Sequence, residues 1–344
     1  MTSLLQPGYT LTLGSQRWTT QLIALELTLA AAPLLNGLTV TLPAQAPLKS
    51  APGDPADLTL ASGEKEQAVF SGTIDSIRHS PDAIRVRALD AAGVLAQVRP
   101  AITWEQVTAG TVIRNLCDEA GVDAGDVEDG VALAYYAADP SRTALDHVAR
   151  VAAWSGAMAR VSAANRVEAV VINATSAEVA LKYGRELRTL RQRTAPATIQ
   201  SFTVAGESGA GDTSSPDALR PTTDFFAGNR PDGPSKGNCW RSEPALRTAK
   251  GAASAAAATQ RSYNAGRERG RFTAFLQPEL RPGTVFEIQD APGGMVAGPM
   301  WITDLVHTIG PEGAVTRARF CKGGDSFNPL ALLGSLAGAV GALL

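Results

Sequence analysis

Hydrophobic and polar positions alternate along both ends of this chain and switch to helical spacing in its middle. The clearest alternation runs through Ala68-Val-Phe-Ser-Gly-Thr-Ile-Asp-Ser-Ile77. It is answered, after the turn signal Ser80-Pro81-Asp82, by Ile84, Val86 and Ala88 set between Arg85, Arg87 and Leu89. A period near two buries one face of a sheet. The phase changes at Ser71-Gly72, which predicts a bulge or sharp bend where a missing Cβ lets the strand coil, with Ile77 facing away from Ile74. A coiled hairpin of this length suits a small barrel better than a flat sheet. Tyr9–Leu13, Leu22–Leu29, Leu38–Leu42 and Leu58–Leu60 read as further strands, with a proline-rich loop over Ala44–Asp57. Residues 1–103 thus form a first all-β unit.

From Trp104 the period lengthens. Thr111–Ala120 places Val112, Ile113, Leu116, Cys117 and Ala120 on one helical face and stops at Gly121. Thr143–Ser155 is a second helix, opened by a capping box in which Asp146 stands for the usual Glu and closed by Gly156. Ala157–Val161 and Arg166–Ile172 form a hairpin across Ala163-Ala164-Asn165. Residues 104–195 are therefore expected to be a small α/β insertion. Thr198–Val204 returns to strand, and 206–237 is a Gly-, Pro- and Ser-rich loop without a period. Ala245–Ala265 reads as an Ala-rich helix. Arg271–Leu276, Thr284–Gln289, Met300–Thr308 and Ala314–Cys321 complete a second all-β unit over 196–325.

Residues 326–344 are almost wholly apolar. From Leu330 the run is 15 residues, short of the ~20 that span a bilayer, so no membrane span is expected. Leu330, Leu332, Leu333, Leu336, Val340, Leu343 and Leu344 form a sticky terminus suited to docking on another subunit or protein; a packed or disordered tail is the plainer alternative.

Composition narrows the function classes. A chain of 344 residues suggests two or three domains. Charged residues make up 19% and the net charge is −2, which argues against a general nucleic-acid binder. Cys117, Cys239 and Cys321 lack disulfide or zinc spacing. The N-terminus lacks the basic and apolar regions of a secretory signal. Gly206-Glu-Ser-Gly-Ala210 lacks the last glycine of a nucleophile elbow, and Gly209-Ala-Gly211 fails the dinucleotide fingerprint. His79, His147 and His307 have no metal-ligand spacing. Asp118, Glu119, Asp123, Asp126, Glu128 and Asp129 do not follow a calcium loop and read as a solvated face. Nothing marks a carboxylate pair for glycan hydrolysis. Lys182, Arg185, Arg188, Arg191 and Arg193 form a basic run that fits an acidic neighbouring subunit or solvent. Trp18, Trp104, Trp154, Trp240 and Trp301 read as core or interface anchors. No catalytic, cofactor-binding or metal-binding residue is assigned.

Several spaced motifs resemble one family. They are Phe70-x-Gly72-x-Ile74 with the hairpin to Leu89-Asp90; the helix–helix–hairpin insertion over 104–172; Pro278-x-Leu280-x-Pro282-Gly283 followed by Val285-x-x-Ile288; Trp301-Ile-Thr-Asp-Leu-Val-His307; and Thr316-x-Ala318-x-Phe320. Their order is similar to that of the phage late-control D family, the baseplate hubs of contractile tails and related injection systems, and to the N-terminal hub portion of valine–glycine-repeat spike proteins. The resemblance implies two small tube-type β-barrels per chain and a homotrimer forming a pseudo-sixfold ring. That ring would adapt a threefold spike to a sixfold tail tube around a channel for DNA or cargo. The implied partners are the spike below and the tube or tube-initiator protein above, with the tape-measure protein and baseplate wedge as further candidates. The implied life history is synthesis in the bacterial cytoplasm, then assembly into a virion tail or extracellular injection particle. The chain ends without an oligosaccharide-binding barrel or β-helix, so the spike is expected to be a separate polypeptide on which the apolar tail docks. His307 matches a recurrent histidine, read as structural. A receptor- or carbohydrate-binding tail module and a peptidoglycan-cleaving tail enzyme are the alternative readings.

Overall fold

The computed structural model describes residues 7–63, 65–207, 237–295 and 298–322. It is mainly β with an α/β insertion. The first part holds β1 (Pro7–Leu13), β2 (Gln16–Trp18), β3 (Ala24–Ala30), β4 (Gly37–Pro43), β5 (Pro55–Ser62), β6 (Lys65–His79) and β7 (Ala83–Leu89). Next come α1 (Ala91–Leu95), β8 (Ile102–Thr108), α2 (Ala109–Ala120), β9 (Ala124–Val127), β10 (Ala132–Ala138), α3 (Ala144–Ser155), β11 (Ala157–Val161) and β12 (Val167–Val171). The remainder supplies β13 (Val179–Lys182), β14 (Leu187–Thr194), β15 (Ser201–Ala205), β16 (Asn238–Ser242), α4 (Ala249–Arg267), β17 (Glu268–Phe275), β18 (Val285–Gln289), β19 (Met300–Gly310) and β20 (Gly313–Lys322).

The two β units are hydrogen-bonded into one 13-stranded sheet. Its main path runs β14-β17-β20-β19-β3-β4-β7-β6-β5-β1-β2, with β18 attached to β19 and β13 to β18. The seam is the antiparallel pair β3–β19, where Leu27 faces His307 and Leu29 faces Leu305. Alternate residues from both units fill one core, so Leu11, Leu27, Val40 and Leu60 share it with Phe272, Phe286 and Phe320. The three phenylalanines are mutually close, with centroids 5.4 to 6.2 Å apart, the spacing at which aromatic edges and faces attract.

Strand β6 is the long hairpin arm foreseen from the sequence, but its irregularities lie elsewhere. Gly72 pairs in register with Ala56, while the ladder skips Val69 on one side and Asp75 on the other. Each skipped residue is a bulge, which bends the strand and resets its inward phase. That is why Val69 and Phe70 are both buried, and why Ile77 packs on the same core as Ile74 rather than facing away. Gly72 serves a different purpose: a Cβ there would lie 2.3 Å from the Leu89 carbonyl oxygen. Only a glycine lets β6 approach the end of β7 this closely.

The insertion has its own core, built from Val112, Ile113, Leu116, Tyr136, Val148, Val151 and their neighbours. Thr108 caps α2, and Thr143 with Asp146 forms the reciprocal box at α3. Gly121 and Gly156 end these helices at φ of 68° and 73°, a backbone region that glycine enters without steric cost. The β8–β10 pair was not anticipated. Nor was the parallel pairing of β9 with β12. Residues 179–194, grouped with the insertion on sequence, lie in the large sheet, where Leu187 is buried and Leu190 packs on its core. Conversely, Val204, Leu246 and Ala255 join the insertion core. Small side chains on α4 allow it to pack closely on α3, and the Arg150–Glu243 ion pair at 2.6 Å ties α3 to the segment entering α4.

Candidate assembly interface

The residues with chemical potential are spread through the fold and mostly satisfied within it. His147 is fully buried. Its Nε2 lies 3.0 Å from the Asp139 carbonyl, which can only accept, so Nε2 carries the proton. The Tyr136 hydroxyl, 2.7 Å away, then donates to Nδ1. Tyr136 stands edge-on to Trp154 and stacked on Trp104, and burial pushes its phenol up to about 12. This is a polar clip inside an aromatic cluster. His307 is also fully buried, at 2.9 Å from the Thr316 hydroxyl. That hydroxyl also accepts from the Gln277 N–H. Burial holds the His307 ring down at about 4, and its Nε2 is buried without a hydrogen-bond partner among the described residues. His79 is exposed at the end of β6. Cys117 is buried, and burial raises its thiol to about 12. Trp18 and Trp154 are core residues, whereas Trp240 is exposed.

Among the described residues no group of three His, Cys, Asp or Glu side chains could hold a metal ion. A groove of about 530 Å³ lies between α3, α4, β11 and β19, and Arg261 is the one ionisable side chain lining it. It offers no nucleophile with a base, and no carboxylate pair, for hydrolysis. The glycine-rich candidates at 208–236 and the apolar tail at 326–344 lie outside the described residues.

Polar chemistry concentrates instead at the joint between the β unit and the insertion. Asn36 accepts from the Ala30 N–H at 2.7 Å and donates to Asp90 at 2.6 Å. Asp90 caps α1 through the Ala92 N–H, and Asn165 accepts from the Ala91 N–H at 2.7 Å. Burial dominates the Asp90 carboxyl and raises it to about 6 despite these bonds. Arg160 bonds Glu168 at 2.9 Å and the Pro282 carbonyl at 2.6 Å, fastening the β11–β12 hairpin to the second β unit.

The outer surface supplies the assembly features. β14 and β2 terminate the path of the large sheet, and strand edges of this kind are where another chain can pair. The basic run divides: Lys182 pairs Asp290 at 2.8 Å, Arg185 pairs Glu186 at 3.0 Å and Arg188 lies over Phe275. Arg191 and Arg193 remain exposed on β14. The six carboxylates from Asp118 to Asp129 are all exposed around the end of α2 and β9, with Asp129 paired to Arg114.

A family model for the phage tail baseplate hub (GPD) matches residues 20–313. Among curated proteins none matches the chain. The fold is similar to the 43 kDa tail protein of prophage MuSo2 from Shewanella oneidensis, with 15% identity and a TM-score of 0.65 over 92% of this chain and 98% of that one. A tail protein from Neisseria meningitidis MC58 has 13% identity and a TM-score of 0.68 over 92% and 96% of the two chains. The E. coli c3393 protein, a component of the type VI secretion system with structural similarity to T4 tail proteins gp27 and gp5, has 12% identity and a TM-score of 0.58 over 90% and 76%. A match running through both β units and the insertion between them makes this chain a member of the phage tail baseplate hub family.

Proposed function

We propose that this protein is a structural hub that forms a homotrimer on the tail axis, joining a threefold spike to a sixfold tube around a channel for DNA or cargo. The observation that carries the reading is the pair of β units fused through β3–β19 into one sheet, within a chain matched to hub proteins over 20–313. Two comparable β faces per chain, repeated three times, would present a near-sixfold rim while the assembly keeps threefold symmetry. Such a joint works by large permanent interfaces rather than turnover, and the satisfied state of His147 and the closed burial of Cys117 fit a protein without a reaction centre. Its partners would be a spike and the tube or its initiator, with tape-measure and wedge proteins as further candidates. Leu330, Leu332, Leu333, Leu336, Val340, Leu343 and Leu344 would dock on the spike. Synthesis would be cytoplasmic, with assembly into the particle afterwards.

Multi-angle light scattering on the purified chain should give three times the 35.7 kDa monomer mass. A map of the assembled particle should place the chain on the axis between tube and tip. A monomer at all concentrations, or a peripheral position, would overturn the reading.

A further inference from the structure

On the outer face of the large sheet, three neighbouring strands carry arginines in register. Arg191 on β14 lies opposite Arg271 on β17, which lies opposite Arg319 on β20, and this row ends at Asp304 on β19. Arg193 lies opposite Arg269 in the next row, and Arg317 follows in the row on the other side. All six are exposed. Adjacent strands are about 4.8 Å apart, so like charges directly opposite one another repel, and the arrangement costs the isolated chain stability. Among the described residues Asp304 is the sole ion-pair partner of the six, through Arg319 at 3.3 Å. Four of them, Arg191, Arg271, Arg317 and Arg319, line a trough of about 460 Å³ across the face.

A chain of net charge −2 that gathers six arginines against one carboxylate on one face must hold the balancing acid elsewhere. It is concentrated over Arg114–Asp129, where six exposed carboxylates stand against one arginine. No ion pair joins the two regions within the described residues: Asp129 takes Arg114, and Glu128 accepts the Val171 N–H at 2.8 Å. The two surfaces carry equal and opposite excess charge on separate elements of the same chain.

We infer that the arginine face of one copy docks on the carboxylate strip, 118–129, of a neighbouring copy. The contact is heterologous, one surface meeting a different one, and such contacts close into rings when the rotation permits. Repeated around the axis, every arginine face is then neutralised by the next chain's carboxylates, relieving the cross-strand repulsion. The complementary charges also fix which surfaces meet, because an arginine face against an arginine face is strongly disfavoured. A nucleic acid would also answer the arginines, but the acidic strip on the same molecule repels it. This inference rests on the ring proposed above and specifies the surface that builds it.

Charge reversal tests it. Arg191→Glu, Arg271→Glu and Arg319→Glu together should weaken self-association by at least about a hundredfold, since like charges then meet across the contact. Asp118→Lys, Asp123→Lys and Asp126→Lys together should do the same. A chain carrying all six substitutions should recover the wild-type mass by light scattering, with an unchanged circular dichroism spectrum in every variant. Wild-type association should also weaken between 0.05 and 0.5 M salt, as the Debye length falls from about 14 to about 4 Å. A multimeric wild type whose mass survives the arginine reversal would sink this surface assignment and leave the hub reading standing. A wild type that never associates would sink both. A wild-type chain that retards double-stranded DNA, while the arginine triple variant keeps its mass and loses that retardation, would overturn the assignment in favour of a nucleic-acid surface.

Discussion

Two buried ionisable residues pull the stability of this protein in opposite directions with pH. His307 is held at about 4 by burial, against 6.5 in the unfolded chain. Between those values the unfolded state binds the extra proton, so acidification from pH 6.5 to 4 removes about 3 kcal/mol of stability. Asp90 is raised to about 6 from 3.8. Here the folded state binds the extra proton, so stability falls by about 3 kcal/mol as pH rises from 3.8 to 6. Between pH 4 and 6 the two effects offset each other. Relative to wild type, Asp90→Asn should leave the His307 effect exposed, with urea midpoints dropping more steeply on acidification. His307→Gln should do the reverse, with midpoints falling as pH rises from 4 to 6. Superimposable pH profiles for wild type and both variants would show that neither group titrates in the range its burial implies. His307 is read as structural through the family resemblance, and the fold buries it against Thr316. The sequence had no means of marking Asp90, whose burial arises from the distant Asn36 and from the insertion folding over α1.

At the scale of elements, hydrophobic period identified what local forces set. The two capped helices, the β11–β12 hairpin and the four strands from β17 to β20 follow directly from alternation, caps and turn glycines. The β6 hairpin was legible as a pair of arms, but its bulges were not, since a bulge is a relation to a partner strand rather than a property of one strand. The sequence marked Gly72 as the irregular point; the structure makes it the point of closest backbone approach. Gly72→Ala should therefore lower unfolding free energy by about 1–3 kcal/mol, the usual cost of overpacking. Gly266→Ala on α4, where a Cβ meets nothing within 4 Å, should instead be neutral or gain up to about 1 kcal/mol from helix propensity. Equal effects of the two substitutions in chemical denaturation would refute the close-approach role. The pairings β8–β10 and β15–β16 are not legible in the sequence because β10 is Ala-rich, β16 is short, and the paired strands lie more than twenty residues apart.

For the whole molecule, two cores replace the linear series of units suggested by sequence order. One belongs to the large sheet and draws on both ends of the chain; the other belongs to the insertion and recruits α4 and β15 from beyond it. Cutting the chain at the ends of the insertion as first read would therefore sever β14 from β17 and leave α4 without its partner. The C-terminal tail is the region whose role is tested at this scale. On the proposed reading, deleting 330–344 should leave the self-associated mass unchanged by light scattering and weaken retention of the spike in a pull-down. Loss of self-association on deletion would assign the tail to subunit contacts instead.

What the sequence by itself determined was the inward face of strands such as β3, β4 and β7, the glycines that end α2 and α3, and the order of motifs shared with hub proteins. Those follow from covalent neighbours, because period, caps and turns act over a few residues. Tertiary structure alone decided that β3 and β19 fuse two units into one sheet, that Asp90 is desolvated, and that arginines from β14, β17 and β20 stand in one row. Each of these depends on strand register between segments tens to hundreds of residues apart, and register is set by the shared core that those segments bury together.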